Sequence, residues 1–261
     1  MTLFLPIWLA GLFGACVLMA VLWAVAIRIN RFSIIDPVWT LSLAGLAFFY
    51  AQNAHGFQKR RVALCLMVAL WAWRLARHLF FRLFKEKGED ARYQKLRFDW
   101  AKHLKLNFFA FFQIQAMAAA VLSIPFLIIC SNPNPRFEIV EWIGIVVWWM
   151  GFLGESAADR QLAQFKLNAA NKGKVCDRGL WSVSRHPNYF FEWLMWVAYF
   201  IFAMPAPGGF WAAASPALMF YFLVFASGIP PAEQQSLKSK GDRYREYQRT
   251  TSAFFPWFKK N

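Results

Sequence analysis

The sequence predicts an all-α, polytopic integral membrane protein with about seven transmembrane helices, and three observations predict it. Of 261 residues, 59% are apolar, 19% are aromatic and 14 are Trp, far too apolar for a soluble domain of this length. Several apolar runs reach the ~20 residues that cross a bilayer as helix. The basic residues gather in alternate connections between those runs, as orientation in a membrane requires.

Taken in order, the expected spans are 3–27, 34–54, 62–84, 108–130, 139–159, 189–204 and 210–229. The first has neither a basic leader nor a small-residue cleavage site and is too long for a signal segment, so it is expected to remain as a helix. The second opens near Asp36 and ends in Gln52-Asn53-Ala54-His55, and the third carries Arg74, Arg77 and His78. The fifth ends in Gly154-Glu-Ser-Ala-Ala-Asp-Arg-Gln161. The sixth follows Pro187, a residue suited to a first helical turn where a missing N–H does no harm. It is short, and the second is interrupted by polar residues, so six or eight spans stay open as alternatives. Residues 1–261 read as one transmembrane domain, with 232–261 a basic cytoplasmic tail.

Orientation follows from charge. Arg28 and Arg31 trail the first span, eight Lys or Arg from Arg82 to Lys105 trail the third, and six from Arg160 to Arg185 trail the fifth. Seven more fill the tail, whereas the connection after the fourth span carries Arg136 alone. The N-terminus is therefore expected outside and the C-terminus in the cytoplasm. Lys59-Arg60-Arg61 breaks the alternation.

The net charge of +15 thus concentrates on one side, where it fits membrane lipids or an anionic cofactor. Nucleic acid is excluded as a partner for a chain mostly buried in membrane. Four Cys and four His show no metal-ligand spacing, and the chain has neither a P-loop nor a G-x-G-x-x-G. The lysines of Lys259-Lys260-Asn261 sit one place off an ER-retrieval spacing, which favours a bacterial inner membrane.

Ionisable residues inside spans are costly and so are candidates for function. Arg74 lies about ten residues, roughly 15 Å, from the cytoplasmic end of its helix and shares a face with His78. Asp36 is expected to pair with His78 or Arg82. Glu155 and Asp159 project to one side, one turn apart, as salt-bridge partners or as acceptors for ligand hydroxyls. Gly179-Leu-Trp-Ser-Val-Ser-Arg-His-Pro-Asn-Tyr-Phe-Phe-Glu192 brings Arg185, His186 and Asn188 against an apolar helix, either to hold a charged ligand or to bind lipid phosphates. Gly241-Asp-Arg-Tyr-Arg-Glu-Tyr247, then Phe254-Phe-Pro-Trp-Phe258, reads as a short amphipathic helix with an interfacial aromatic anchor.

Gly-Glu-Asp-Ala-Arg-Tyr (88–93), Glu155 with Asp159 and Gln161, the 179–192 block, and Tyr-Arg-Glu-Tyr before Phe-Phe-Pro-Trp together resemble the steroid 5-alpha-reductase superfamily, in particular its bacterial branch. The resemblance covers about residues 30–258. It implies a seven-helix membrane reductase that binds NADPH from the cytoplasm and reduces a carbon–carbon double bond in a steroid, sterol or other lipid. By carry-over, Asp159, Lys166, Trp181, Asn188 and Tyr247 match cofactor-binding positions. Glu155, Arg185 and His186 are their implied neighbours, and the phosphate contacts extend to Arg77 and Arg82. Lys166 stands where many members have Arg, which keeps the charge and loses the bidentate fork.

The catalytic pattern departs from the family. A Gln-Glu pair on helix two and a Tyr on helix three polarise the substrate ketone there. Here Gln52 is followed by Asn53, and helix three offers no Tyr but Arg74, a charge suited to stabilising an enolate. Gln52, Asn53 and Arg74 are therefore the expected catalytic residues. Membrane isoprenylcysteine-type methyltransferases, which use S-adenosylmethionine, also carry Arg-His-Pro-x-Tyr and a C-terminal Glu…Tyr segment, but Glu233-Gln234 stands where they prefer two acids. A non-catalytic lipid-binding protein is the third reading.

Overall fold

The computed structural model describes residues 4–85 and 88–259. Those residues are mostly helical, and no strand occurs among them. In chain order the α-helices are α1 (Phe4–Ile29), α2 (Ile35–Asn53), α3 (Gln58–Lys85), α4 (Ala91–Asp99), α5 (Leu104–Leu122), α6 (Ile124–Ser131), α7 (Ile139–Leu167), α8 (Pro187–Ala203), α9 (Ala214–Tyr221), α10 (Ile229–Lys240) and α11 (Asp242–Thr250).

Six segments are long and apolar enough to cross a bilayer: Phe4–Ile29, Phe32–Asn53, Gln58–Phe84, Ala101–Ser131, Ile139–Leu167 and Gly209–Lys240. The expected sixth span forms α8, which has 17 residues and extends about 26 Å. That is slightly less than the ~30 Å hydrocarbon core, so α8 falls short of the other six in length.

Two expected spans are interrupted. The fourth breaks between α5 and α6 at Ser123, two residues before Pro125, whose ring cannot continue the donor ladder. Ser123 Oγ donates to Ala120 O at 2.9 Å and lies 3.2 Å from Tyr50 Oη, so the break is internally satisfied. The last span is a short 3₁₀ turn at Gly209–Ala213, α9, a π-helical turn at Phe222–Ala226, and α10 with Pro230 and Pro231 in its first turn.

The chain divides into two compact units, Met1–Phe137 with Pro205–Ala214, and Glu138–Met204 with Ser215–Asn261. In the first, α1 packs on α5, and α2 on α3. Trp8, Trp23 and Trp39 each send an indole N–H to a carbonyl of α5, at Ala120, Lys105 and Gln115. The amphipathic indole thus fills apolar space and satisfies its own donor.

Residues 88–93 act as a clasp in this unit. Glu89 accepts from the backbone N–H groups of Phe32 (2.6 Å) and Ser33 (3.0 Å), where α2 is entered. Asp90 caps α4 by accepting from Arg92 N. Asp36 receives Tyr93 Oη at 2.6 Å and Arg92 at 2.7 Å, and Arg82 lies 3.6 Å away. Asp36 therefore pairs with Arg82, as expected, and with two partners the sequence did not point to. The motif that carries much of the family resemblance fastens the start of α2 to α3 and α4.

The second unit is built on α7 and α8, antiparallel along their length. Glu138 and Glu141 form a capping box that starts α7. Gly144, Gly151 and Ala158 repeat every seven residues and let the α8 backbone approach closely. A methyl group at Gly144 would sit 2.8 Å from Phe202 N, and one at Gly151 would sit 3.0 Å from Phe191 O.

Candidate functional site

The α7–α8 register builds the site. Gly144 lies against Ala198 and Phe202, Gly151 against Phe191 and Met195, and Gly154 against the Phe191 ring. Continued by one turn, the same register brings Glu155 and Asp159 level with the His186–Tyr189 segment at the start of α8. Glu155 is buried and Asp159 half-buried.

The segment before α8 is held on α7 from one side. Gly179 takes φ +57°, a left-handed conformation that suits glycine, and a Cβ there would lie 2.6 Å from Gln161 Oε1. The same Gln161 oxygen accepts from Leu180 N at 2.9 Å. Trp181, buried, donates its indole N–H to Ala158 O at 3.0 Å, next to Asp159. Tyr247 in α11 donates to Trp181 O and lies 3.2 Å from Ser184 O. Burial raises the Tyr247 hydroxyl well above its usual pKa, so it remains a neutral donor.

From the other side, Glu233 of α10 gathers the segment. It accepts from Arg185 Nε at 2.7 Å and Gln248 Nε2 at 2.7 Å, with His186 Nε2 at 3.3 Å and Tyr244 Oη at 3.4 Å. Arg185 also donates to the carbonyls of Gln248 (2.9 Å) and Thr251 (2.6 Å), and its own N–H pairs with Ser252 O. Burial pushes the Tyr244 hydroxyl up to about 12, which keeps it protonated beside the carboxylate. Arg185, expected beside a cofactor, is thus committed to tying the tail to the start of α8. His186 is buried and stacks on Tyr189 with ring centroids 5.3 Å apart.

One acceptor is left over. Asn188 Oδ1 is buried and finds no hydrogen-bond partner among the described residues, at a point level with Glu155. A buried carbonyl oxygen without a donor costs of order 1–3 kcal/mol, so this position favours a ligand that brings an N–H or O–H.

Of the expected cofactor residues, the second unit brings together Glu155, Asp159, Trp181, Arg185, His186, Asn188 and Tyr247. Lys166 lies exposed two turns beyond Asp159, on the last turn of α7. Arg77 and Arg82 belong to the first unit: Arg77 is exposed over the Trp73 ring at 5.0 Å, and Arg82 is spent on Asp90 and Asp36.

The expected catalytic residues do not form one group. Gln52 and Asn53 are exposed at the C-terminal end of α2, and Asn53 Nδ2 donates to Phe49 O within its own helix. Arg74 is half-buried on α3, sixteen residues or about 24 Å beyond the first residue of that helix. Because α2 and α3 form a hairpin with its turn at 54–57, that distance separates Arg74 from Gln52 and Asn53 in depth. The expected spans 34–54 and 62–84 already put Gln52 and Asn53 at a helix end and Arg74 deep in the next helix; it is the family resemblance that groups them. Glu233 is the residue whose role sequence reasoning missed. Its signal was present, an acid eleven residues before Tyr244 on the next helix.

An all-helical, multi-pass integral membrane protein with a polar site at the start of one short helix is the class these features define. The chain belongs to the DUF1295 family, described as a protein of unknown function, whose model matches residues 22–251. It is similar to Uncharacterized protein C594.04c of the fission yeast Schizosaccharomyces pombe, 24% identical over 278 residues that cover 94% of this chain and 78% of the yeast protein. No solved structure matches.

Proposed function

We propose that this protein is a membrane-embedded oxidoreductase that reduces a carbon–carbon double bond of a steroid or other lipid enone, with NADPH as cofactor. The observation that carries the reading is the leftover acceptor Asn188 Oδ1 at the level of Glu155 and Asp159. A nicotinamide carboxamide offers the N–H that Asn188 lacks, and ribose hydroxyls suit two carboxylates one turn apart. Exposed Lys166 offers charge to the 2′-phosphate. When bound, NADPH supplies the hydride. The protein supplies position: Trp181 and Tyr247 hold the loop on α7, and Arg185 with Glu233 holds it on the tail. Arg74, a cation within an apolar helix, is assigned to stabilising the charge that develops on the substrate oxygen. The distribution of basic residues supports an N-terminus outside and a C-terminus in the cytoplasm.

Titration calorimetry on the full chain in detergent tests the reading. NADPH should bind more tightly than NADH. Asn188→Ala should weaken both by about tenfold, the worth of one buried hydrogen bond. Lys166→Glu should weaken NADPH far more than NADH. Binding of S-adenosylmethionine without binding of NADPH would transfer the site to the methyltransferase reading. Binding of neither would leave a lipid-binding protein.

A further inference from the structure

The tail forms a pocket that the cofactor reading does not use. It has a volume of about 380 Å3 and is lined by Arg185, Arg249, Thr251, Phe255, Trp257 and Phe258, among others. We propose that this pocket binds the headgroup of an anionic phospholipid, with Arg249 facing the phosphate and the three aromatic rings receiving the glycerol and upper acyl chain.

Three observations carry it. The first is position. Phe254 and Phe255 pack edge-on against Phe190 and Trp193 at the start of α8, and Phe220 of α9 meets Phe254 edge-on and Phe255 at a tilt, with ring centroids 5.3–6.1 Å apart. This aromatic cluster seats the pocket beside elements that enter the membrane, at the level where Trp and Tyr belts form. The second is composition. Phe255, Trp257 and Phe258 are 50%, 67% and 83% exposed, an expense in water that an acyl chain removes. Arg249 pairs with Glu246, at 2.9 Å and on the surface, and with no other carboxylate among the described residues. Water and salt screen such an exposed pair, so a phosphate can take the guanidinium bidentately at little loss. The third is a polar group at the floor. Thr251 is 3% exposed, and its Oγ1 finds no hydrogen-bond partner among the described residues. Arg185, by contrast, spends its Nε on Glu233 and its Nη1 on two carbonyls, and serves as wall. Phosphatidylcholine has the same phosphate but adds a quaternary ammonium, which would lie against the basic tail, so the pocket should prefer the anionic lipid.

Native mass spectrometry of the full chain in neutral detergent reads this directly, with phosphatidylglycerol, phosphatidylcholine and inorganic phosphate as probes. The expected result is one phosphatidylglycerol retained per chain, bound at least about tenfold more tightly than phosphatidylcholine and not displaced by excess phosphate. The double variant R249E/W257A should lose that lipid, and Phe258→Asp should weaken it. All three positions are exposed, and an unchanged melting temperature would exclude misfolding. Equal retention of both lipids, displacement by phosphate, or an unaltered lipid in R249E/W257A would each overturn the proposal. NADPH affinity should be unchanged in the same variants, which separates this site from the cofactor reading.

Discussion

Arg60 and Arg61 show how an arginine can mislead a count of charges. Together with Lys59 they contradict the charge alternation, as though three cations faced the outer side. Arg60 is in fact fully buried and donates to the carbonyls of Asn132, Asn134 and Arg136 at 2.8–3.1 Å, with its guanidinium 5.1 Å from the Phe137 ring. Arg61 donates to the carbonyls of Ala51 and Ala54 at the end of α2. Main-chain carbonyls leave no mark in a sequence, so this use of charge was not legible there, and the same holds for Arg185. Arg60→Met should cost ~3 kcal/mol or more, because it strands the buried carbonyl of Asn132 and the part-buried carbonyls of Asn134 and Arg136. Arg60→Lys should recover little, since an ammonium cannot reproduce the fork. Thermal unfolding in detergent measures both, and a wild-type melting temperature in Arg60→Met would refute the role. Arg74 calls for the opposite pattern. Arg74→Met should reduce single-turnover reduction of the substrate enone by about a hundredfold or more, the scale of losing one oxyanion donor, with NADPH affinity unchanged. A joint fall in stability, affinity and turnover would instead make Arg74 a structural cation.

Among the elements, those with strong periodicity were legible and those with internal breaks were not. The helical run of α1, the α2–α3 hairpin and α7 followed from apolar length, but the π-helical turn at Phe222–Ala226 depends on tertiary packing rather than local propensity. The 88–93 clasp is the clearest gain from structure. Its acids and arginines read equally well as a solvated connector, yet they lock α2, α3 and α4 together. Burial alone would raise the Asp90 carboxyl, but hydrogen bonds and charge from Arg92, with the charge of Arg82, more than offset it and leave it below its ordinary 3.8. A carboxyl whose folded value is depressed contributes stability above the unfolded value and loses it as pH falls through the folded one. The contribution should therefore be complete above about pH 5 and fade below pH 3.8. Asp90→Asn should lower the melting temperature at neutral pH, and its gap from wild type should close on acidification. A gap that is constant with pH would mean that the Asp90 charge does not contribute, and no gap at any pH would remove the clasp from the stability of this unit.

For the whole molecule, composition was enough to give the class, and the candidate site was half legible. Residues on or beside α7 and α8 are grouped by carry-over from the family resemblance, and the structure supplies the physical reason: both helices run without a break and meet through small residues at a fixed spacing. Gln52, Asn53 and Arg74 are grouped by the family's catalytic pattern, against the depths that the α2 and α3 spans imply. Orientation rests on charge, and the use of Arg60 and half-buried Arg61 on main-chain carbonyls gives its one exception a structural reason: that connection keeps Lys59 as its exposed cation. Lys95, beyond the other end of α3, should then lie across the membrane from Lys59, and Lys172 should share the cytoplasmic side with Lys95. Single cysteines at these three positions, in a chain whose Cys16, Cys65, Cys130 and Cys176 are replaced by Ser or Ala, can be probed with a membrane-impermeant maleimide. In intact cells only the cysteine at 59 should react, and in inverted vesicles only those at 95 and 172. Reaction of 59 and 95 from the same side would mean that α3 does not cross. Reaction of 95 and 172 from opposite sides would mean that the basic residues do not set the orientation of this chain, and the proposed cytoplasmic face of the cofactor site would fall with it.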